Sequence, residues 1–285
     1  MSQWILGIRS PVPRTAAVLL GVAPILLLVG LWWFLTHGPV EERRIAPSIL
    51  PSPGEVVGSF PALLVAPDPT GEKTLSQRLF QDERSLFYNT AVSLKRVALS
   101  FLLALVLAVP LGVAMGSFGS TRAMFAPSMT ASGYIPIATL VPLTMSWFGI
   151  GELQKVAFLA TAFGIFMLPQ VVAAIERVPM VYLRTASTLG ATRMQTVFRV
   201  LIPVALPDIW QAMRLAFGVG WTYLVLTEVV VLANGLGMLV AIAQRRGPRE
   251  HVYLVIVTIT LIAWVADLLW VWLGRRLFPY QRSRA

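Results

Sequence analysis

Residues 187–207 read "STLGATRMQTVFRVLIPVALP" (Ser187 to Pro207), and they interrupt a chain otherwise made of long apolar runs. The stretch is polar on one face, broken at Gly190 and closed by Pro203 and Pro207. Its pattern is that of two short helices. At about 100° per residue, Tyr182, Ala186 and Leu189 share one helical face, with Arg184, Ser187 and Thr188 on the other. Gly190 ends that helix, because glycine takes the left-handed conformation without a Cβ clash. Thr192 is the next N-cap, and Gln195 three residues later completes a capping box. The second helix places Met194, Val197, Phe198 and Leu201 on one face, with Arg193, Gln195 and Arg199 opposite. Pro203 lacks a donor and is expected to bend the chain into the next apolar run. The expected product is a stiff two-helix unit at a membrane surface.

Outward from this unit lie six apolar segments. They run from Ala16 to Leu35, from Val97 to Phe118, within Ala123 to Gly151, from Val156 to Ile175, from near Ile209 to about Glu228, and from Val252 to Gly274. Each is long enough to cross a hydrocarbon core of about 30 Å. The third is interrupted by Pro127, Pro136 and Pro142. The first has a basic start like that of a signal peptide. It is too long for such a segment, and no small-residue cleavage site precedes "EERR", so it is expected to remain as a span. Composition agrees: 56% of the 285 residues are hydrophobic and 13% charged, against roughly 25% charged in soluble domains. The fold class expected is therefore all-α, a polytopic membrane protein of six transmembrane helices. Residues 1–94 would hold the first span and a loop with a short interfacial helix from Gly54 to Leu64. Residues 95–285 would hold a core of five spans. "APDPTGEKT" between them reads as a loop.

Charge narrows the partners. The net charge of +10 comes from Lys and Arg scattered between apolar runs, where they contact lipid phosphates, so no nucleic acid is expected. A helix tethered to two spans cannot enter a DNA groove about 8.5 Å deep. Lys and Arg divide almost evenly between the two sides, so the positive-inside rule barely orients the chain. The tail with Arg275, Arg276, Arg282 and Arg284, and the segment from Arg177 to Arg199, favour cytoplasmic termini. "QRRGPREH" (Gln244 to His251) then lies outside, against the rule. The chain has no cysteine, hence no thiolate metal site. His37 and His251 are isolated, and no HExxH motif or Ser/His/Asp set is present. "TGEKT" (Thr70 to Thr74) lacks the adjacent Gly-Lys pair and the first glycine of a P-loop, so no nucleotide site is expected. No catalytic residue, cofactor or metal is assigned.

Three ionisable residues fall inside apolar runs, where each costs about 2.5–3.5 kcal/mol on insertion scales. Arg214 and Glu228 are about 21 Å apart along one helix and cannot pair there. Arg214 is expected to snorkel, and Asp267 to hydrogen-bond a neighbouring helix. Glu228 suits a gate, a subunit contact or a structural hydrogen bond equally. In the proline-broken third segment, "SGYIPIATLVPLTMSW", Ser132, Tyr134, Thr139, Thr144 and Ser146 suit a polar pathway, because broken helices are tolerated where backbone lines a cavity. Ordinary packing of small residues suits them equally. Tyr134, Thr139, Thr144 and Glu228 are the candidate pathway residues.

The loop also resembles the E-A-A-x3-G-x9-I-x-L-P pattern of the inner-membrane permeases of binding-protein-dependent ABC importers. Arg184, Thr185 and Ala186 stand at the E-A-A positions, Gly190 at the glycine, and Val200, Ile202 and Pro203 at the I-x-L-P positions. Ala186, Gly190 and Pro203 match outright, whereas Arg184 replaces the acidic residue. "LPSPGEVVGSF", "SLKRVALSFLLALVLAVPLGVAMG", "YIPIATLVPLTMSWFGIGELQK" and "LTEVVVLANGLGMLV" are similar to the nitrate, sulfonate and taurine branch, over roughly Leu50 to Tyr280. The resemblance implies a subunit in the inner (cell) membrane, paired with a second permease subunit, two cytoplasmic ABC ATPases and an external solute-binding protein. It also implies that Tyr182 to Leu189 sits in a groove of the ATPase. A secondary transporter would need an inverted repeat, and an intramembrane enzyme would need a dyad at matching depth. Neither is visible in the sequence.

Overall fold

A computed structural model of the chain describes residues 12–39, 41, 43–65, 73–230 and 234–280. Every regular element among them is helical. Residues 66–72 of the loop expected around "APDPTGEKT" lie outside the described residues.

The first helix, α1 (Arg14–Thr36), is apolar on all sides and exposed along nearly its whole length. It is tied down near its end, where the Trp32 indole donates to the Pro51 carbonyl at 2.8 Å and stacks on Tyr253. Two short helices follow, α2 (Pro53–Gly58) and α3 (Phe60–Leu64). They occupy the expected Gly54–Leu64 piece and are broken at Ser59. Ser52 and Glu55 form a capping box at α2. The Arg43 guanidinium, with the Ser52 backbone N–H, holds the Glu55 carboxyl at about 2. A further turn, α4 (Leu75–Phe80), leads into α5 (Leu86–Ser117). That helix starts three turns before the expected Val97, because Ser85 caps it and Asn89, Ser93 and Arg96 are buried inside the protein rather than left at a surface.

The third apolar segment departs from a continuous span. It forms α6 (Gly119–Ser132), a 3₁₀ turn (Ile137–Thr139) and α7 (Leu140–Phe148), each too short to cross a membrane alone. Pro136 cannot donate and pushes Ile135 out of the helical region, so the break falls at residues 133–136. Pro142 sits harmlessly in the first turn of α7. The chain continues as α8 (Glu152–Glu176), α9 (Met180–Thr188), α10 (Arg193–Thr196), a π turn (Val197–Leu201), α11 (Ile202–Val230), α12 (Leu236–Arg246) and α13 (Glu250–Leu277). Five stretches among the described residues are long and apolar enough to cross a membrane: 15–36, 86–117, 152–176, 193–230 and 250–277.

The core is built by α5, α8 and α11 around Phe158, Phe163, Met167, Val171 and Leu224. The first two run parallel and meet at both ends. At one end Gly112 and Gly116 lie so close to Val171 and Ile175 that a Cβ on either glycine would come within 2.7 Å of them. This small-xxx-small crossing lets backbones approach and gain dispersion contacts where apolar burial alone gives none in lipid. α11 runs antiparallel, with Gly220 against the Phe163 ring. Against it lies α13, where Trp210 packs on Trp270 and the indole donates to the Trp270 carbonyl. Gly116→Ala should therefore overpack this crossing and cost about 1–3 kcal/mol, lowering the melting temperature in detergent by several degrees. Gly164→Ala, with open space around it, should leave melting unchanged. Equal melting of the two variants would contradict the tight crossing.

Candidate functional site

The two-helix unit forms as its local residues dictate. At the end of α9, Gly190 has φ +75°. The Ala191 N–H donates to the Ala186 carbonyl, and the Gly190 N–H to Ser187, both at 3.0 Å. This pair of bonds closes a Schellman motif. Thr192 then caps α10, accepting from the Gln195 N–H at 3.3 Å while the Gln195 side chain accepts from the Thr192 N–H at 2.9 Å. The N–H groups of Leu189, Gly190, Ala191 and Thr192 thus all have acceptors within the unit, which makes the turn stiff.

Its faces differ from the expected ones. Ala186 is buried and Leu183 packs against the core, three residues before it. Tyr182 and Leu189, expected beside Ala186, are exposed, Leu189 by 82%. The turn sits near Ser117, Phe118 and Ser120 at the junction of α5 and α6, and Leu183 takes the inward place instead, while Ser187 stays exposed. Arg184, Thr185 and Thr192 are exposed. The hydroxyls of Thr185, Ser187 and Thr188 bond back to carbonyls four residues earlier. Arg184 makes no ion pair among the described residues, so it is the one charged arm that α9 presents. In the second helix Val197 and Leu201 are buried as expected, whereas Met194 and Phe198 are exposed and rim an apolar groove of about 420 Å³ with Val109, Pro110 and Ile209. Pro203 does not bend the chain away. The π turn shifts the hydrogen-bond register, with the Ile202 N–H donating to Val197, and Pro203 falls in the first turn of α11, where no donor is needed. Val200 and Ile202 are half-buried there.

The opposite end of the same helices holds a buried ion cluster that sequence reasoning missed. Arg96, 1% exposed, uses its whole fork. Its Nε and Nη2 donate to Glu152 at 2.8 and 2.5 Å, and Nη1 donates to Glu228 at 2.7 Å and to the Asn234 carbonyl at 2.5 Å. Glu228 is fully buried and also accepts from the Ser93 hydroxyl at 2.8 Å and the Gly237 N–H at 2.9 Å. The Gly235 N–H donates to Asn89 and the Leu236 N–H to Ser93. A Cβ on Gly235, at φ +117°, would collide with the Glu228 carboxylate at 2.3 Å, so the turn can close only with glycine there. Of the roles open to Glu228, the geometry realises the hydrogen-bonding one. Lys155, on the next turn of α8, is buried without a hydrogen-bond partner, its Nζ 3.8 Å from Glu152. Lys95 and Arg96 read in the sequence as the flank of a span, and the one signal for the cluster was Glu228 inside an apolar run, which needs a partner from another helix.

The remaining candidates are dispersed. Thr144 is buried, bonds back to Leu140 and Val141, and accepts from Gln154 at 3.0 Å. With Ser132 and Thr161 it lines an open groove between α5, α7 and α8 that is otherwise apolar. Tyr134 is 84% exposed, and Thr139 is exposed and bonded to Pro136. The structure does not bring these two together with Glu228. Arg214 does not stand alone as a snorkelling side chain. It forms a two-pronged pair with Asp267 of α13, at 2.5 and 2.7 Å, because the antiparallel packing of α11 and α13 sets them at one depth. Asp267 therefore bonds a neighbouring helix as expected.

Residues 100–279, which span α5 to α13, match the family model of the binding-protein-dependent transport system inner membrane component. The chain belongs to that family. It is a transport permease subunit of the inner membrane. Its permease relatives include the taurine transport system permease protein TauC of Escherichia coli, 32% identical over 95% of this chain and 92% of that protein. The putative aliphatic sulfonates transport permease protein SsuC of Bacillus subtilis is 25% identical over 84% and 80%. The nitrate import permease protein NrtB of Leptolyngbya laminosa is 23% identical over 90% and 86%. The permease fold is shared with a chain of the MetNI methionine ABC transporter in an inward-facing conformation, with a TM-score of 0.61, 20% identity, and coverage of 67% of this chain and 95% of that one.

The cluster generates a direct expectation. Glu228→Ala leaves the Arg96 charge half-satisfied in a dry site, and removing one partner of a buried pair costs about 3–5 kcal/mol. Thermal unfolding followed by tryptophan fluorescence should show the largest drop for Glu228→Ala and Arg96→Ala. Wild-type melting in both would show that the cluster carries no stability.

Proposed function

We propose that this chain is the permease subunit of an ABC importer for a small sulfonate or similar anion, taurine being the first candidate. The observation that carries this reading is 32% identity to a taurine permease over 95% of the chain and 92% of that protein. In this reading the chain crosses the membrane six times, the third crossing being the broken run α6–3₁₀–α7. Residues 1–94 add one span and an external loop to a permease core in 95–285. Both termini and the α9–α10 unit lie in the cytoplasm, and the ion cluster lies at the outer end. Two such subunits pair, with the Tyr134–Ser146 run and the groove at Thr144 lining the pathway between them.

The α9–α10 unit would be the coupling element. It is short, capped on both sides of its turn and exposed at Met180, Val181, Tyr182 and Leu189, so an ATPase groove that receives it can move it without losing the displacement in a soft turn. Tyr182, Arg184, Thr185 and Leu189 would touch the ATPase. Ala186, Gly190, Thr192, Val200, Ile202 and Pro203 would hold the shape. ATP hydrolysis stays on the partner, and solute selection rests mainly on the external binding protein, since the groove walls at Thr144 carry no cationic cluster.

Reconstitution of the chain with the ATPase and solute-binding protein of its own operon tests the reading. ATP-dependent accumulation of radiolabelled taurine or another sulfonate in proteoliposomes is the expected result. Accumulation without the ATPase would instead make it a secondary transporter. In the same assembly, Arg184→Glu reverses the single charged arm of α9 and should lower binding-protein-stimulated ATP hydrolysis several-fold while leaving the fold intact. Unchanged stimulation would place Arg184 outside the contact.

A further inference from the structure

The cluster at the outer end holds two cations and two carboxylates, and its four members are not equally fixed. Glu228 is enclosed, and both of its oxygens are occupied by donors from α5 and from the first turn of α12. Arg96 is buried between them. Glu152 differs: its side chain is 62% exposed while it binds Arg96. It is the first residue of α8, and the entry to that helix passes through Gly149 and Gly151, both with open space around them. Lys155 differs in the opposite sense. Its ammonium is fully buried and has no hydrogen-bond acceptor, a costly state for a charge in a dry site. The Glu152 carboxylate is 3.8 Å away, on the same face of α8.

We propose that Glu152 is an exchangeable latch, which passes between Arg96 and Lys155 as the first turn of α8 moves against α5. With Glu152 on Arg96, the first turn of α8 is clamped to α5 and Lys155 keeps only a long 3.8 Å contact with Glu152 and no hydrogen bond. With Glu152 on Lys155, the clamp between helices opens, and Arg96 keeps Glu228 and the Asn234 carbonyl. Both arrangements leave the site neutral overall, with two cations facing two carboxylates, and each leaves one cation less fully paired than the other. α8 is one helix of 25 residues, about 37 Å long, and its far end leads directly into α9. The meaning of the latch for transport rests on the importer reading: displacement of α9 would reach Glu152 along α8 and trade one ion pair for the other.

The latch can be tested on the full chain alone, in lipid nanodiscs, without ATPase or transport. The chain has no cysteine, so Gln154→Cys, buried in the first turn of α8, gives a single thiol whose maleimide labelling reports opening of that turn. In this background Glu152→Gln should raise the labelling rate about tenfold. Lys155→Met should lower it several-fold, because the open arrangement loses its ion pair, and Lys155→Arg should restore it. A merely structural Lys155 predicts no slowing in Lys155→Met, and that result, or faster labelling, overturns the proposal. Should Lys155→Met melt early, Lys155→Gln is read in its place under the same criterion. Failed labelling shifts leave the importer reading untouched, and failed uptake in the reconstituted system leaves the latch standing.

Discussion

An arginine buried between two carboxylates sets the positions of three membrane helices and one turn. Arg96 on α5 reaches Glu152, 56 residues later on α8, and Glu228, 132 residues later on α11. An isolated charge in such a place would cost several kcal/mol, and pairing returns that cost only when the geometry is close to ideal. Here it is: the guanidinium fork is filled on both sides, and Glu228 takes further donors from Ser93 and Gly237. The pairing therefore acts as a register mark. A slip of one helical turn in α5, α8 or α11 would strand a charge, so the Arg96–Glu228 pair fixes the register of the bundle. The turn at 234–237 follows: Gly237 donates to Glu228, Gly235 and Leu236 donate to Asn89 and Ser93, respectively two turns and one turn before Arg96 on α5, and Arg96 donates to the Asn234 carbonyl.

The rest of the bundle hangs between that cluster and the two-helix unit at the other end. α5 and α8 run side by side, pinned by ion pairs at one end and by the Gly112 and Gly116 contacts at the other. A pair pinned twice moves as one body. The π turn and Pro203 carry α10 into α11 without a joint, so the unit is continuous with α11 as well as with α8. An importer that converts a push at one surface into rearrangement at the other needs this continuity, and small exposed groups such as Glu152 are where rigid bodies can part.

Much of this was legible along the chain because it is local. The apolar runs gave the long helices, and the Gly190 terminator and the Thr192–Gln195 box were readable within nine residues, since a cap depends only on its neighbours. Three things were not readable. The ion cluster joins residues far apart, and Arg96 beside Lys95 has the same local appearance as any interfacial basic pair. The inward face of α9 was misjudged because helical periodicity states which residues share a face and not which face is covered; the end of α5 decides that by covering Leu183 and Ala186. The pair of Arg214 and Asp267 needed the antiparallel packing of α11 on α13 to bring two depths together.

Hydrogen–deuterium exchange at the turn after α11 tests the organising role of the cluster most directly. The N–H groups of Gly235, Leu236 and Gly237 donate to Asn89, Ser93 and Glu228, so a peptide covering them should exchange as slowly as the middle of α8 and lose its protection in Arg96→Ala. Exchange of that peptide at the rate of an open loop in the wild-type chain would contradict a turn held by Arg96 and Glu228.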